Sequence, residues 1–118
     1  MGDALAVTRV TPKQDDAMAS IAWGMHYFGS LVTNRQFTRA MARALVKKGL
    51  AESVGIVDLC DGDGFTVQHD AREGFVLTER GLACVEAADP LNTDLQGARE
   101  CLSRRAVLAL RGATETGE

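Results

Sequence analysis

The sequence predicts an α+β fold in which helices surround a small antiparallel sheet. Apolar residues recur with the 3.6-residue period of a helix over 12–28 and 33–50, and the period changes to two after Gly49, as in a half-buried strand. The turn-forming run DGDG at 61–64 then lies where a hairpin would reverse. With 118 residues, the chain is long enough for one hydrophobic core but not for two.

The first helix is predicted from Pro12 to about Phe28. Thr11 is a suitable N-cap, proline is favoured at the first helical position, and Gln14 completes a capping box. Gly29 follows and is expected to end the helix. Helical spacing assigns four residues to the core face: Met18, Ile21, Met25 and Phe28.

Trp23 and Tyr27 form a second aromatic row on this helix, four residues apart and off the core face. Aromatic side chains are common both in protein cores and at protein interfaces. The sequence leaves both interpretations open: the row packs under the last helix, or it forms an interface with another molecule.

The stretch 33–50, TNRQFTRAMARALVKKGL, is predicted to form the helix around which the fold is organised. Thr33 and Gln36 fit a capping box at its start, and Gly49 occupies the place of a left-handed C-terminal cap. One face carries apolar residues at helical spacing and is expected to pack. A second face presents a basic row in which the residues recur every four positions: Arg35, Arg39, Arg43 and Lys47.

Three short strands are predicted after the basic helix. The alternation of apolar and polar residues indicates strands over 54–59 and 65–70, on either side of the DGDG turn. A second turn is predicted at 71–74, followed by a third strand at 75–77.

Two helices are predicted after the sheet. Thr78 caps a helix over 79–88, which Asp89-Pro90 interrupts. A last helix follows from a capping-box pattern at 93–96 to about Leu110. Its apolar residues form a narrow stripe: Leu95, Ala98, Leu102, Ala106 and Ala109.

The net charge of −3 combines a basic block with an acidic block. Residues 12–50 carry six Lys or Arg against two Asp, a local charge of +4. Residues 51–91 carry nine acids against two Arg, a local charge of −7. Because a partner responds to the local potential, each block suggests a different kind of partner.

Composition indicates a cytoplasmic protein that is not embedded in a membrane. The three cysteines are odd in number and lack CxxC spacing, which argues against a disulfide scaffold. No apolar run has the length of a membrane span, and the first ten residues lack the pattern of a signal peptide.

The sequence predicts neither an enzyme nor a cofactor or metal site. Cys60, His69 and Cys84 match no zinc-ligand spacing, so we interpret them as structural residues. The aspartates around the DGDG turn lack the EF-hand order for calcium. Phosphate-binding loops and nucleophile motifs are also missing from the sequence.

The segments KKGLAE and FVLTERG resemble those of MarR-type winged helix-turn-helix regulators over residues 34–86. In that family a recognition helix ends before a hairpin called the wing, and a capped helix follows. A short helix precedes the recognition helix, and residues 25–32 would have to supply it here. The matching residues are Leu45, Lys48, Gly49, Leu50 and Glu52, then Asp70 and Arg72, then Leu77, Thr78, Glu79 and Gly81.

The residue pattern and this resemblance together predict four segments. These are an N-terminal arm or short strand (1–10), a winged-helix domain (11–89), a C-terminal helix for packing or dimerisation (90–112) and a disordered tail (113–118).

The resemblance also implies a regulator of transcription that binds double-stranded DNA through the basic helix 34–48. Arginine can bind guanine or phosphate, and a solvated basic face is the alternative interpretation. A homodimer would match the two-fold symmetry of half-sites. The expected DNA contacts are Arg35, Gln36, Thr38, Arg39, Arg43, Lys47 and Arg72, and the expected interface residues are Trp23, Tyr27, Leu95, Leu102 and Ala109.

A second hypothesis is a winged-helix module that binds a protein instead of DNA. The acidic residues within 58–73 would then contact a basic partner, as in an adaptor or a phage-type inhibitor. The sequence pI of about 5.4, low for a nucleic-acid-binding domain, favours this hypothesis.

Overall fold

A computed structural model describes residues 10–62 and 67–116, and it describes the side chains of residues 10–57 and 71–108. It confirms an α+β fold with a small antiparallel sheet. The elements are α1 (Pro12–Phe28), β1 (Leu31–Val32), α2 (Arg39–Lys47), β2 (Ala51–Gly62), β3 (Val67–Leu77), α3 (Glu79–Ala88) and α4 (Leu95–Thr116).

The sheet has the strand order β1-β3-β2, and both strand pairs are antiparallel. β2 and β3 form a long hairpin, which confirms an antiparallel sheet within 54–77. The turn predicted at 71–74 is wrong, because these residues continue β3 and pair with β2. The glycine that suggested a turn, Gly74, is instead buried, and an added Cβ would lie within 3.0 Å of Val54 and Val57.

The start and core face of α1 agree with the prediction, apart from one residue. The reciprocal bonds between Thr11 and Gln14 are both present at 3.1 Å, and Met18, Ile21 and Met25 are fully buried. Phe28 is not in the core, since 73% of its surface is exposed.

The chain reversal after α1 explains why Phe28 is exposed. Gly29 adopts a left-handed conformation with φ 88° and ends the helix. Leu31 then lies against Gly24, where a Cβ added to the glycine would be 2.8 Å from that of Leu31. Leu31 therefore covers the last part of the core, and Phe28 is left outside it.

The predicted start of α2 is wrong. Thr33 and Gln36 do not form a capping box, and the helix begins five residues later with Thr38 as its N-cap. The side chain of Asn34 instead accepts hydrogen bonds from the backbone N–H groups of Gln36 and Phe37, at 2.7 and 2.8 Å. This turn buries Phe37, whose ring packs edge-on against that of Phe75 with 6.0 Å between centroids. Because the Asn34 turn buries Phe37, it is favoured over a start of α2 at Thr33.

The end of α2 agrees with the prediction. Gly49 has a φ of 75°, and the backbone N–H of Leu50 donates to Leu45 at 2.9 Å. Leu50 is fully buried and leads directly into β2. The short helix that the family resemblance required over 25–32 is not present, because those residues complete α1 and form β1.

α4 packs on α1 and α3 through its N-terminal half. Leu95, Ala98 and Cys101 are buried, whereas Val107 and Leu108 are 52% and 64% exposed. The helix extends to Thr116 and so includes residues 113–116, for which the sequence predicted a tail.

Candidate nucleic-acid interface

The outward face of α2 carries three of the four residues of the basic row. Arg39, Arg43 and Lys47 are all exposed, and their four-residue spacing places them along one side of the helix. The buried residues of α2, Ala42 and Leu45, face the core. The cations therefore point to solvent, and the basic row is a surface feature.

Arg35 and Gln36 lie in the turn before α2, not on the helix as predicted. Both side chains are exposed. Arg35 lies near the N-terminal end of the row and Lys47 at its C-terminal end, and neither pairs with an acid in the described part of the chain. The basic row thus begins in the turn before α2 and continues along the helix.

Thr38 has a structural role at the start of α2. Its Oγ1 accepts a hydrogen bond from the backbone N–H of Met41 at 3.3 Å. The hydroxyl hydrogen remains able to donate outward, because a hydroxyl both donates and accepts.

Arg72 connects the hairpin to this surface. One of its guanidinium nitrogens, Nη1, donates to the backbone oxygen of Thr33 at 3.0 Å. β3 is thereby held against the segment that leads into the turn before α2. Arg72 is thus tied to the segment that precedes the turn before α2.

Glu73, which the sequence analysis did not identify, lies within the basic row. One carboxylate oxygen, Oε1, is 3.2 Å from Nε of Arg39 and 3.4 Å from Nη2 of Arg43. The other, Oε2, accepts a hydrogen bond from the hydroxyl of Ser53 at 2.6 Å. Only 13% of the Glu73 side chain is exposed, whereas 70% of Arg39 and 53% of Arg43 are exposed. The arginines thus remain open to a ligand while they share one internal acid.

Glu73 is ionised at neutral pH. The hydrogen bond from Ser53 lowers its pKa below the usual range; burial opposes this change, and the charges of Arg43 and Arg39 lower the pKa further. A carboxyl group with a lowered pKa stabilises the fold at neutral pH, and this contribution is lost as the pH falls through the lowered value. The ion pairs of Glu73 with Arg39 and Arg43 therefore persist throughout the physiological pH range.

No residue in the segment 33–50 indicated this pairing, because it contains no acid. The acid is supplied thirty residues after Arg43 by the neighbouring strand. Antiparallel register is the signal that can identify it: Gly74 pairs with Gly55 and Val32, so the adjacent Glu73 lies in the strand between β2 and β1. Its side chain reaches Ser53 of β2 and the arginines of α2.

The two predicted aromatic interface residues, Trp23 and Tyr27, are exposed and lie in an aromatic cluster with Phe28. The ring of Trp23 lies 5.6 Å from that of Tyr27 and 5.4 Å from that of Phe28. Their exposed fractions are 45%, 60% and 73%. His26 stacks on Tyr27 at 4.4 Å, and its Nδ1 lies 3.0 Å from a carboxylate oxygen of Asp94. α4 therefore does not cover Trp23 and Tyr27, and the interpretation of this aromatic row as further core is wrong.

The predicted interface stripe of α4 is only partly available. Leu95 is buried in the core of its own chain and cannot contact another molecule, so that prediction is wrong. Leu102 is partly buried and lines a groove between α3 and α4. The side chain of Ala109 lies outside the described residues.

Of the cysteines whose side chains are described, Cys84 is half-buried and Cys101 is buried. Burial raises the pKa of both the Cys84 and the Cys101 thiols, so they are protonated at neutral pH. The thiol of Cys101 lies 3.2 Å from the backbone oxygen of Gly29 and joins α4 to the end of α1. In the part of the chain that the structure describes, His, Cys, Asp and Glu form no group able to hold a metal ion. The side chains of Cys60 and His69 lie outside that part.

No family model, curated protein or solved structure matches this chain. Within the described ranges, none of the helices combines the length and apolarity that crossing a membrane requires.

Proposed function

We propose that the protein binds double-stranded DNA through the α2 face and acts as a small winged-helix regulator of transcription. The observation that carries the proposal is the exposed basic surface formed by α2 and the turn before it. Arg72 of β3 bonds the backbone oxygen of Thr33, in the segment that leads into that turn. In the part of the chain whose side chains are described, this surface carries the cations Arg35, Arg39, Arg43 and Lys47 and the acid Glu73. A helix with exposed arginines at its N-terminal end, flanked by a hairpin, is a common arrangement for contacting a major groove and its phosphates.

In this proposal the two ends of the surface have different roles. Arg35 and Gln36 in the turn before α2, with Arg39 in its first turn, would approach base edges on a matching sequence, as in recognition helices. On a random duplex, the charges of Arg35 and Arg39 would contact phosphates instead. Arg43 and Lys47 follow at one-turn intervals and would bind phosphates. Arg72, on the neighbouring strand β3, would bind the DNA backbone.

The first prediction concerns where DNA binds. On titration with a random 20-base-pair duplex, we expect NMR amide signals of residues 35–47 and Arg72 to shift. Signals of α3 should stay in place because this helix lies outside the proposed surface. The C-terminal half of α4 is the internal comparison, since it carries exposed Arg104 and Arg105. Shifts confined to α4 would contradict the proposal.

The charge of the sheet favours a second candidate function. Glu73 partly neutralises the arginines of α2, and the segment 51–91 carries a local charge of −7. An interaction module that contacts a basic protein through the hairpin is consistent with this excess of acid. Most of its proposed contact segment, 58–73, has side chains outside the described residues. The duplex titration separates the two candidates, because the module would leave the α2 signals unchanged.

We further propose that the aromatic cluster forms a homodimer. Covering an aromatic side chain buries about 150–250 Å², so the exposed parts of the cluster offer on the order of 350 Å². Two copies offer about 700 Å², which is more than half of the roughly 1,200 Å² in a small stable interface.

The second prediction tests this dimer with the double variant Tyr27→Ser/Phe28→Ser. In sedimentation velocity we expect the unmutated protein to be a dimer at micromolar concentration and the double variant to be a monomer, because the change removes most of the exposed aromatic surface. Ile56→Ser is the control, since Ile56 is 70% exposed but lies on β2. It should remain dimeric. A monomeric unmutated protein, or a dimeric double variant, would overturn the dimer.

A further inference from the structure

Glu73 holds both central arginines of the proposed DNA surface with a single oxygen. Its Oε1 lies within 3.4 Å of a guanidinium nitrogen of both Arg39 and Arg43. A phosphate oxygen that bridges the same two arginines would occupy this position, because guanidinium groups bind carboxylate and phosphate with similar geometry.

Hydrogen bonds from β2 fix the carboxylate of Glu73 in this position. Ser53 donates to Oε2 at 2.6 Å, and its own hydroxyl oxygen accepts from the backbone N–H of Gly55 at 3.1 Å. Gly55 follows the irregularity in the register of β2 and has a φ of 85°. A β-bulge of this kind redirects side chains next to functional sites. The β2 bulge thus orients Ser53, and Ser53 orients Glu73 towards the arginines.

We infer that Glu73 is an internal competitor of DNA phosphate for Arg39 and Arg43, and that it limits sequence-independent binding. The inference rests on the proposed function and names the residue that sets the strength of phosphate binding at that site. Each guanidinium group has five N–H donors, so the arginines retain donors for DNA while paired with Glu73. The negative charge of Glu73 lies beside the position of the bound phosphates and repels them. This repulsion lowers the affinity for every DNA sequence, so contacts to base edges supply a larger share of the binding free energy.

The third prediction is that Glu73→Gln strengthens binding to random duplex DNA. Glutamine retains acceptor and donor atoms for Ser53 and the arginines, so the fold should be preserved, as circular dichroism would verify. Removing one negative charge from the interface should steepen the slope of log K against log salt by about one. At 50 mM salt this corresponds to roughly tenfold tighter binding.

Glu100→Gln is the matched control, because Glu100 is exposed on α4 and the net charge changes equally. It should change affinity less than twofold and leave the slope unchanged. The competitor role is overturned if Glu73→Gln behaves like this control, or if it weakens binding, in which case Glu73 positions the arginines for DNA. Either result leaves the proposed DNA binding intact, since the unmutated protein would still bind. Failure of all three proteins to bind at 50 mM salt overturns both proposals.

Discussion

The double variant Arg39→Ala/Arg43→Ala is expected to bind duplex DNA about 100-fold more weakly at 50 mM salt. Each phosphate contact releases condensed counterions and contributes about 0.9 to the slope of log K against log salt. Losing two contacts should therefore flatten the slope by about two. Glu73 increases the effect, because the variant leaves its charge facing the DNA without an arginine partner. Fluorescence anisotropy with a labelled random duplex at four salt concentrations measures both quantities.

The control for this variant is Arg104→Ala/Arg105→Ala, which removes the same charge from the exposed half of α4. We expect its affinity to fall less than threefold and its slope to change by less than half a unit. An equal loss of affinity in the two variants would show that binding responds only to net charge. It would contradict the proposal that α2 is the DNA-binding surface.

Gly81→Ala is expected to destabilise the fold by about 3 kcal/mol, a typical upper value for inserting an atom into a packed core. Gly81 lies in the first turn of α3, and a Cβ there would overlap the backbone oxygen of Leu50 and lie 3.0 Å from Cδ2 of Leu77. The same oxygen accepts a hydrogen bond from the backbone N–H of Thr78. The overlap would therefore separate the start of β2 from the start of α3. Alanine is favoured over glycine in a helix by about 1 kcal/mol, but this gain is smaller than the cost of the overlap.

Thermal unfolding followed by circular dichroism tests this prediction, with an expected decrease in Tm of roughly 10 °C for a domain of this size. Ala87→Ser is the control, because Ala87 is exposed near the end of the same helix. Its Tm should change by at most about 2 °C, as for most surface substitutions. An unchanged Tm in Gly81→Ala would show that α3 packs less closely against β2 than the structure indicates.

The sequence predicted the elements whose ends depend on local chemistry. The capping box of Thr11 and Gln14 and the left-handed Gly49 involve residues within one helical turn, so their pattern is readable without the fold. The start of α2 differs because two local hydrogen-bonding schemes compete there. Burial of Phe37 against Phe75, nearly forty residues away, favours the Asn34 turn, and no local pattern contains that contact.

The candidate site was predicted in part for the same reason. The basic row is a local periodicity, and α2 presents three of its members as expected. Glu73 joins the row through the pairing of β3 with β1 and β2, which depends on strand register. The adjacent Gly74 indicates a turn at 71–74 in the sequence. The prediction therefore has two short strands where the structure has the continuous strand β3. The pairing could not be predicted until the hairpin was known to be continuous.

The salt dependence of duplex binding by the unmutated protein tests the central claim most directly. Among the described side chains, the α2 surface offers the cations Arg35, Arg39, Arg43 and Lys47, and Glu73 opposes one of these charges. Three net phosphate contacts, at about 0.9 each, predict a slope of about −3 per subunit for log K against log salt. Binding at 50 mM salt that weakens with this slope up to 200 mM would support a DNA-binding α2 surface. No measurable binding at 50 mM, or a slope near zero, would contradict it.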